Sequence, residues 1–295
     1  MARRKKGRKL LLSLIAIIIL AIGTWKSGLA DEFVSSVEVS GSAEIHVVDV
    51  GQADCTLILT DKGNVLIDAG DIDTKDEVVA YLESVGVRDL AYAVFTHPDA
   101  DHIGGAATVI RGFDVENVIL PALHESDVPT TKVYGDMLSA LEEDEDISVI
   151  AAEAGAMYEL GDLKFEVLAP LSDNYSNINN YSVSIMFDFG NTSMLFTGDA
   201  LEQSEEEMLE AYSAKKLKAD FFQAGHHGAS NANTPAFVKA VSPKIVAVSC
   251  GADNKYGHPT KEALAAYAEV GAEVYRTDEL GSIIFVTDGK EIVKK

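Results

Sequence analysis

The run His97-Pro98-Asp99-Ala100-Asp101-His102 sits directly behind a short apolar segment, Leu90 to Phe95, and it narrows the fold of this chain more than any other feature. Two imidazoles and two carboxylates in one short loop crowd ionisable groups together at a strand end. Borderline divalent metals such as zinc take this mixture of donors. A solvated loop of polar residues is the bland alternative, and it does not explain the buried strand that feeds the run. The Gly104-Gly105 pair behind it lets a helix start tightly, with its N-terminus aimed at the loop.

The remaining pattern is one of short strands and amphipathic helices. Strands are expected at Ile45–Val50, Cys55–Thr60 and Val65–Ile67, with Asp61-Lys62-Gly63-Asn64 as a hairpin turn. Lys75–Val85 has helical spacing, with Val78, Val79, Leu82 and Val85 on one face. Helices are also expected at Ile103–Ile110, Tyr134–Glu143, Glu202–Tyr212, Thr234–Ala240 and Lys261–Val270. Further strands fall at Val115–Leu120, around the Gly161-Asp162 turn, at Ser182–Phe189 and Thr192–Phe196, and at Phe221–Ala224, Lys244–Ser249, 273–276 and 282–286. Three strand ends carry metal-ligand residue types: the 97–102 run, Asp199 and His226. Alternating elements of this kind predict one α/β domain with mixed sheets over 43–293.

The N-terminus has a different character. Six of residues 1–9 are basic, and Leu10–Ile22 is apolar apart from Ser13. These are the n-region and h-region of an export signal, so the body is expected outside the cytoplasm. Gly28-Leu29-Ala30 before Asp31 suits cleavage; the uncharged stretch falls short of the ~20 residues that span a bilayer comfortably, and an uncleaved anchor stays open as the alternative. Residues 31–42 read as a tether.

The whole chain carries 24 Lys+Arg against 47 Asp+Glu, and beyond residue 30 the balance is 17 against 47, a net of −30. Such a body repels polyanions at long range and needs a local basic patch to hold nucleic acid. Lys215-Lys216-Leu217-Lys218 is the main cluster, and no aromatic run stands out for stacking single strands. Cys55 and Cys250 lie in apolar runs without zinc-type spacing, as buried core thiols do.

Thr96-His97-Pro98-Asp99-Ala100-Asp101-His102-Ile103-Gly104-Gly105 resembles the H-x-[HD]-x-D-H motif of the metallo-β-lactamase superfamily. The segments from His46 to Asp54, Leu66 to Gly70, Phe196 to Asp199 and Gly225 to Ser230 resemble its other strand and ligand motifs. Asp99, Asn179-Asn180-Tyr181-Ser182, Tyr256-Gly257-His258-Pro259 and Thr277-Asp278 are similar to the extracytoplasmic hydrolase domain of ComEC-type DNA-uptake proteins, here in free-standing form. The resemblance implies a four-layer αββα sandwich and a two-metal site. One metal would be held by His97 and Asp99, the other by Asp101, His102 and His226, with Asp199 bridging. Zinc is the expected ion, with manganese an alternative, because Asp99 makes the first site oxygen-rich. Many members supply another His to that site; Asn179 or Asn180, a weaker ligand, or water would stand there, and a single-metal site stays open. Asp68 is expected to orient a ligating imidazole. His227 reads as structural or supporting, and Asp278 as supporting or as a turn cap. His46 and His124 read as bland.

A bound divalent ion lowers the pKa of water to ~7 and so makes a nucleophile available at neutral pH. Asp101 is expected both to ligate and to orient that nucleophile. His258, on a Gly-His-Pro turn, would contact a phosphoryl oxygen or protonate the leaving group; stabilising the turn is its plainer role. The expected activity is a phosphodiesterase or nuclease acting on DNA outside the membrane. Envelope phosphodiesters or small thioester, lactone or lactam substrates form the alternative, and a non-catalytic surface binding module the third reading.

Overall fold

Fifteen short strands and nine helices make up the body in the computed structural model, which describes Val39 and residues 41–295. The expected export segment (1–30) and nearly all of the tether lie outside the described residues. In chain order the strands are β1 (Ala43–Val47), β2 (Thr56–Thr60), β3 (Gly63–Ile67), β4 (Asp89–Val94), β5 (Asp114–Leu120), β6 (Ser148–Ala151), β7 (Met157–Leu160) and β8 (Leu163–Ala169). They continue with β9 (Ser184–Phe189), β10 (Thr192–Phe196), β11 (Phe221–Gln223), β12 (Ile245–Val248), β13 (Glu273–Arg276), β14 (Ile283–Thr287) and β15 (Ile292–Lys294). The helices are α1 (Lys75–Ser84), α2 (Ala100–Ile103), α3 (Ala106–Gly112), α4 (Lys132–Glu143), α5 (Glu202–Ala211), α6 (Ala214–Leu217), α7 (Pro235–Val241), α8 (Lys261–Glu269) and α9 (Thr277–Leu280).

Two mixed sheets result. One has eight strands in the order β15-β14-β1-β2-β3-β4-β5-β6, the other seven in the order β13-β12-β11-β10-β9-β8-β7. Successive side chains of a strand point to opposite faces, and both faces of these strands are buried. Leu57 packs toward α1, α3 and α4, whereas Ile58 packs into the layer between the sheets. Phe221 faces that inner layer and Phe222 faces α5, α7 and α8. Three apolar layers therefore separate four layers of structure, as an αββα sandwich requires. The inner layer is rich in aromatic rings, with Phe187, Phe196, Phe221 and Phe285 stacked edge to face or tilted at 5.2–5.7 Å.

The topology brings particular strand ends together. β3, β4 and β5 run parallel in the first sheet, and β10, β11, β12 and β13 run parallel in the second. Their C-terminal ends open onto one rim, where loops can converge. Across it, Val183 N donates to Thr96 O at 2.9 Å and His226 N to Gly198 O at 3.0 Å. Gly198 adopts φ +51, and a Cβ there would lie 2.7 Å from Thr96 Oγ1.

One expectation is corrected. The segment Ile103–Ile110 is not a single helix. α2 ends at Ile103 and α3 begins at Ala106, with Gly104-Gly105 between them. The glycines allow close approach rather than a tight helix start. Gly104 N donates to Gly70 O at 2.8 Å, Gly105 N donates to Ala69 O at 3.1 Å, and a Cβ at 104 would lie 2.1 Å from the backbone of Asp71 and Ile72. Gly104→Ala is accordingly expected to destabilise the chain by about 3 kcal/mol. The check is the urea midpoint of the full-length protein, and an unchanged midpoint would show that the two loops part freely.

Candidate metal centre

The site begins with a buried carboxylate. Asp68 follows the last residue of β3 on left-handed backbone, φ +58, and is 1% exposed. Its Oδ1 accepts from Thr96 N at 2.8 Å, and its Oδ2 accepts from Thr96 Oγ1 and His102 Nδ1, both at 2.7 Å. Burial raises the Asp68 pKa, and the His102 charge and hydrogen bond oppose it. The expected orienting role has a physical form here. With its Nδ1 proton given to Asp68, His102 presents the Nε2 lone pair forward.

That lone pair meets Asp199. Asp199 stands beyond the end of β10, and its N donates to Ser182 Oγ at 3.1 Å. His102 Nε2 lies 3.1 Å from Asp199 Oδ1, yet neither atom has a hydrogen-bond partner, and both are buried. His97 Nε2 is likewise buried without a partner, 3.8 Å from Asp199 Oδ2 and 3.8 Å from Asp99 Oδ2. Two buried imidazole nitrogens without partners converge on one buried carboxylate, a donor set that fits a divalent cation. Donors sharing one ion at ~2.0–2.2 Å lie roughly 3–3.5 Å apart, close to these spacings.

The two histidines after β11 stand differently from the expected assignment. His227, not His226, joins Asp101, His102 and Asp199 in a cluster whose ligand atoms all lie within 4.8 Å of one another. His227 Nδ1 is 3.1 Å from Ser249 O and 3.5 Å from Asp54 Oδ1, which turns Nε2 toward Asp101 Oδ2 at 3.3 Å. His226 faces the other side of Asp199, with Nε2 3.5 Å from Oδ2 and Nδ1 3.1 Å from Asn231 Oδ1. Consecutive positive φ values, +48 at His226 and +55 at His227, throw adjacent rings to different sides of one carboxylate. Such backbone costs about 1–2 kcal/mol per residue, so surrounding structure must hold it. Sequence spacing carries no sign of the split, because it depends on φ.

The electrostatics follow from burial against mutual attraction. Burial pushes His97 down to about 3, with His102 adding to the shift. Burial also works against charge on His102 and His227, but Asp199 with Asp68 or Asp54 outweighs it and raises both well above the ordinary range. Asp101 is held down to about 2; its burial is overcome by the His227 hydrogen bond and the His102 charge. Asp199 lies well below the usual carboxylate range, its burial overcome by His102 and His227.

The remaining predicted residues sort as follows. Asp99 is half exposed at the mouth, where burial and Asp101 raise its pKa. Asn180 Oδ1 accepts from Leu201 N at 3.1 Å and so supports the loop behind Asp199. Asn179 and Asn180 are both buried. Asp278 accepts from Arg276 Nη2 at 2.6 Å and from Cys250 Sγ at 3.2 Å. His258 stands beside His226, ring centroids 5.5 Å apart, with its turn held by Asn254, whose Nδ2 donates to His258 O at 2.7 Å. Burial and the neighbouring imidazoles push His258 down to about 4, which makes it neutral at pH 7 and a poor proton donor to a leaving group. His46 pairs with Tyr81 and Glu44, His124 caps a surface turn, and both cysteines are free and buried. Asp54 was missed as a site residue. Its signal was present, since Gly51-Gln52-Ala53-Asp54 leads into a strand as the other ligand loops follow theirs. Beside Asp99 a cleft of about 360 Å³ opens, lined also by Asp127, Pro129, Tyr175, Ile178 and Tyr181.

Comparison with known proteins assigns the family. The family model of the metallo-beta-lactamase superfamily matches residues 48–252. The chain belongs to that superfamily. It has a metal-dependent hydrolase fold. ComE operon protein 3 of Bacillus subtilis (strain 168) is 28% identical over 263 residues, covering 83% of this chain and 33% of that protein. Recombination protein 2 of Haemophilus influenzae is 27% identical over 221 residues, covering 73% of this chain and 25% of that protein. The chain thus spans a third or less of the length of these relatives. Among solved structures, the metallo-beta-lactamase fold protein YhfI from Bacillus subtilis shares the fold at a TM-score of 0.57 and 11% identity, covering 84% of this chain and all of that one.

If Asp68 sets the His102 tautomer, Asp68→Asn should weaken metal affinity by about 10–100-fold. Competition with a chromophoric chelator measures it. Wild-type affinity in a folded variant would remove Asp68 from the site.

Proposed function

We propose that this chain is an exported phosphodiesterase that uses two divalent ions, zinc or manganese, and that DNA is its first candidate substrate. The observation that carries the reading is Asp199, whose two oxygens face two separate sets of donors. His102 and His227 stand toward Oδ1, with Asp101 in the same cluster, and His97 and His226 toward Oδ2. A carboxylate with ligands on both sides suits a metal pair, and such pairs activate water and clamp the oxygens of an in-line displacement at phosphorus.

The protein's own groups then have distinct tasks. Asp68, Thr96 and Ser249 hold the imidazoles in the tautomer that leaves Nε2 free. Asp101, at the mouth with its side chain 33% exposed, orients the attacking water. His258, neutral at pH 7, donates a hydrogen bond to a phosphoryl oxygen instead of protonating the leaving group. The name of recombination protein 2 favours DNA, and the basic-then-apolar N-terminus favours export, by secretion or as a membrane anchor.

The cleft beside Asp99 supports a second reading. Two carboxylates and no cation line it, and the body carries −30. A neutral or zwitterionic phosphodiester of the cell envelope suits that surface better than a polyanion.

Asp101→Ala is expected to abolish hydrolysis of a bis-aryl phosphodiester while circular dichroism stays native; surviving activity would refute the two-metal reading. Linear and circular DNA, incubated with purified protein and manganese or zinc over a range of salt, separates the substrates. Cleavage supports DNA, and intact DNA beside turnover of the bis-aryl ester moves the assignment to the envelope. Elemental analysis should find two metals per chain, and one would remove the bridging role of Asp199.

A further inference from the structure

The left-handed His226-His227 turn needs support from outside itself, and Asn233 provides it. Asn233 Nδ2 donates to Gly225 O at 2.8 Å and to Ala229 O at 3.2 Å, and its Oδ1 accepts from Gly225 N at 3.0 Å. Both ends of the turn are thereby tied to one side chain. Asn233 is 2% exposed and itself sits at φ +59, so it too must be held.

Its support comes from a buried carboxylate on α5. Glu205 is 2% exposed, and its Oε1 accepts from Asn233 N at 2.6 Å and its Oε2 from Thr234 N at 2.9 Å. Capping of α7 does not require this, because Thr234 already caps that helix through Phe237 N. Burying a carboxylate is costly, and Glu205 is pushed up to about 7 by its burial despite these bonds. Helix capping leaves that cost without a purpose; positioning of the dihistidine turn gives it one.

We propose that Glu205 is a positioning residue for the metal centre, acting through Asn233 to hold the Gly225–Ala229 turn that aims His226 and His227. The inference rests on the metal-centre reading above. It adds a connection from α5, in the outer helix layer, to the ligand atoms at the rim. Glutamine at 205 keeps the shape but accepts through one oxygen only. Glycine at 233 takes φ +59 without strain, keeps the backbone donor to Glu205 and cuts the link to the turn.

The test uses the full-length protein, stripped of metal and titrated with cobalt(II), whose visible absorption reports ligand geometry. Glu205→Gln and Asn233→Gly should each remain folded by circular dichroism, bind cobalt about tenfold more weakly or worse, and show shifted visible bands. The double variant should lose no more affinity than the weaker single, since both act along one path. Wild-type affinity and spectrum in a folded variant, with only the melting temperature lowered, would overturn the proposal and leave Glu205 as a helix cap. Should Glu205→Gln fail to fold, Asn233→Gly decides alone, because it spares the carboxylate and its donors. A wild type that binds no cobalt overturns the metal-centre reading and this inference with it, whereas binding by wild type with unaltered variants overturns this inference alone.

Discussion

Everything at the rim depends on one buried carboxylate, Asp68. It joins the ends of β3 and β4 by accepting from the Thr96 backbone and hydroxyl, and it takes the Nδ1 proton of His102. An ionised carboxylate with 1% exposure is unfavourable without such partners. The same bonds that satisfy it also fix the tautomer and direction of a ligand. Fold stability and site geometry therefore meet in one side chain, and the left-handed backbone at Asp68 is a cost that this network holds in place.

A second layer of constraint concerns charge. His97, His102, His227, Asp101 and Asp199 are packed where neither imidazoles nor carboxylates can be solvated fully. Their pKa shifts run in opposite directions according to neighbour. His97 is driven down because burial and the His102 charge outweigh the pull of Asp199, whereas at His102 and His227 the attraction of carboxylates outweighs burial and drives them up. Such a cluster contributes little to stability by itself. Its geometry makes sense as a holder for cations, with the sandwich supplying the rigidity. The strong acidity elsewhere on the body shapes what reaches that holder, and the cleft beside Asp99 extends the same acidic character to the mouth.

Much of this was legible in the sequence. The 97–102 run, Asp199 and the dihistidine turn were visible because strand ends are marked by apolar residues and the ligand types are rare in such density. The four-layer sandwich followed from the family resemblance, and most element boundaries fell within a few residues. Short elements escaped. α6, α9 and β15 are too short for periodicity to reveal. The break between α2 and α3 escaped because Gly104-Gly105 reads equally well as a helix start, and its true cause is the backbone of Asp71 and Ile72 against it.

The sequence by itself determined which residue types reach the rim, since strand-ending motifs place them there whatever the details of packing. The tertiary structure decided which imidazole serves which side of Asp199. That choice rests on positive φ at His226 and His227 and on the Asn233 and Glu205 bonds that hold the turn, and Glu205 comes from a helix with no ligand motif of its own. It also decided that the His258 pKa is lowered, because burial and the His226 and His227 imidazoles around it come from the packing of separate loops.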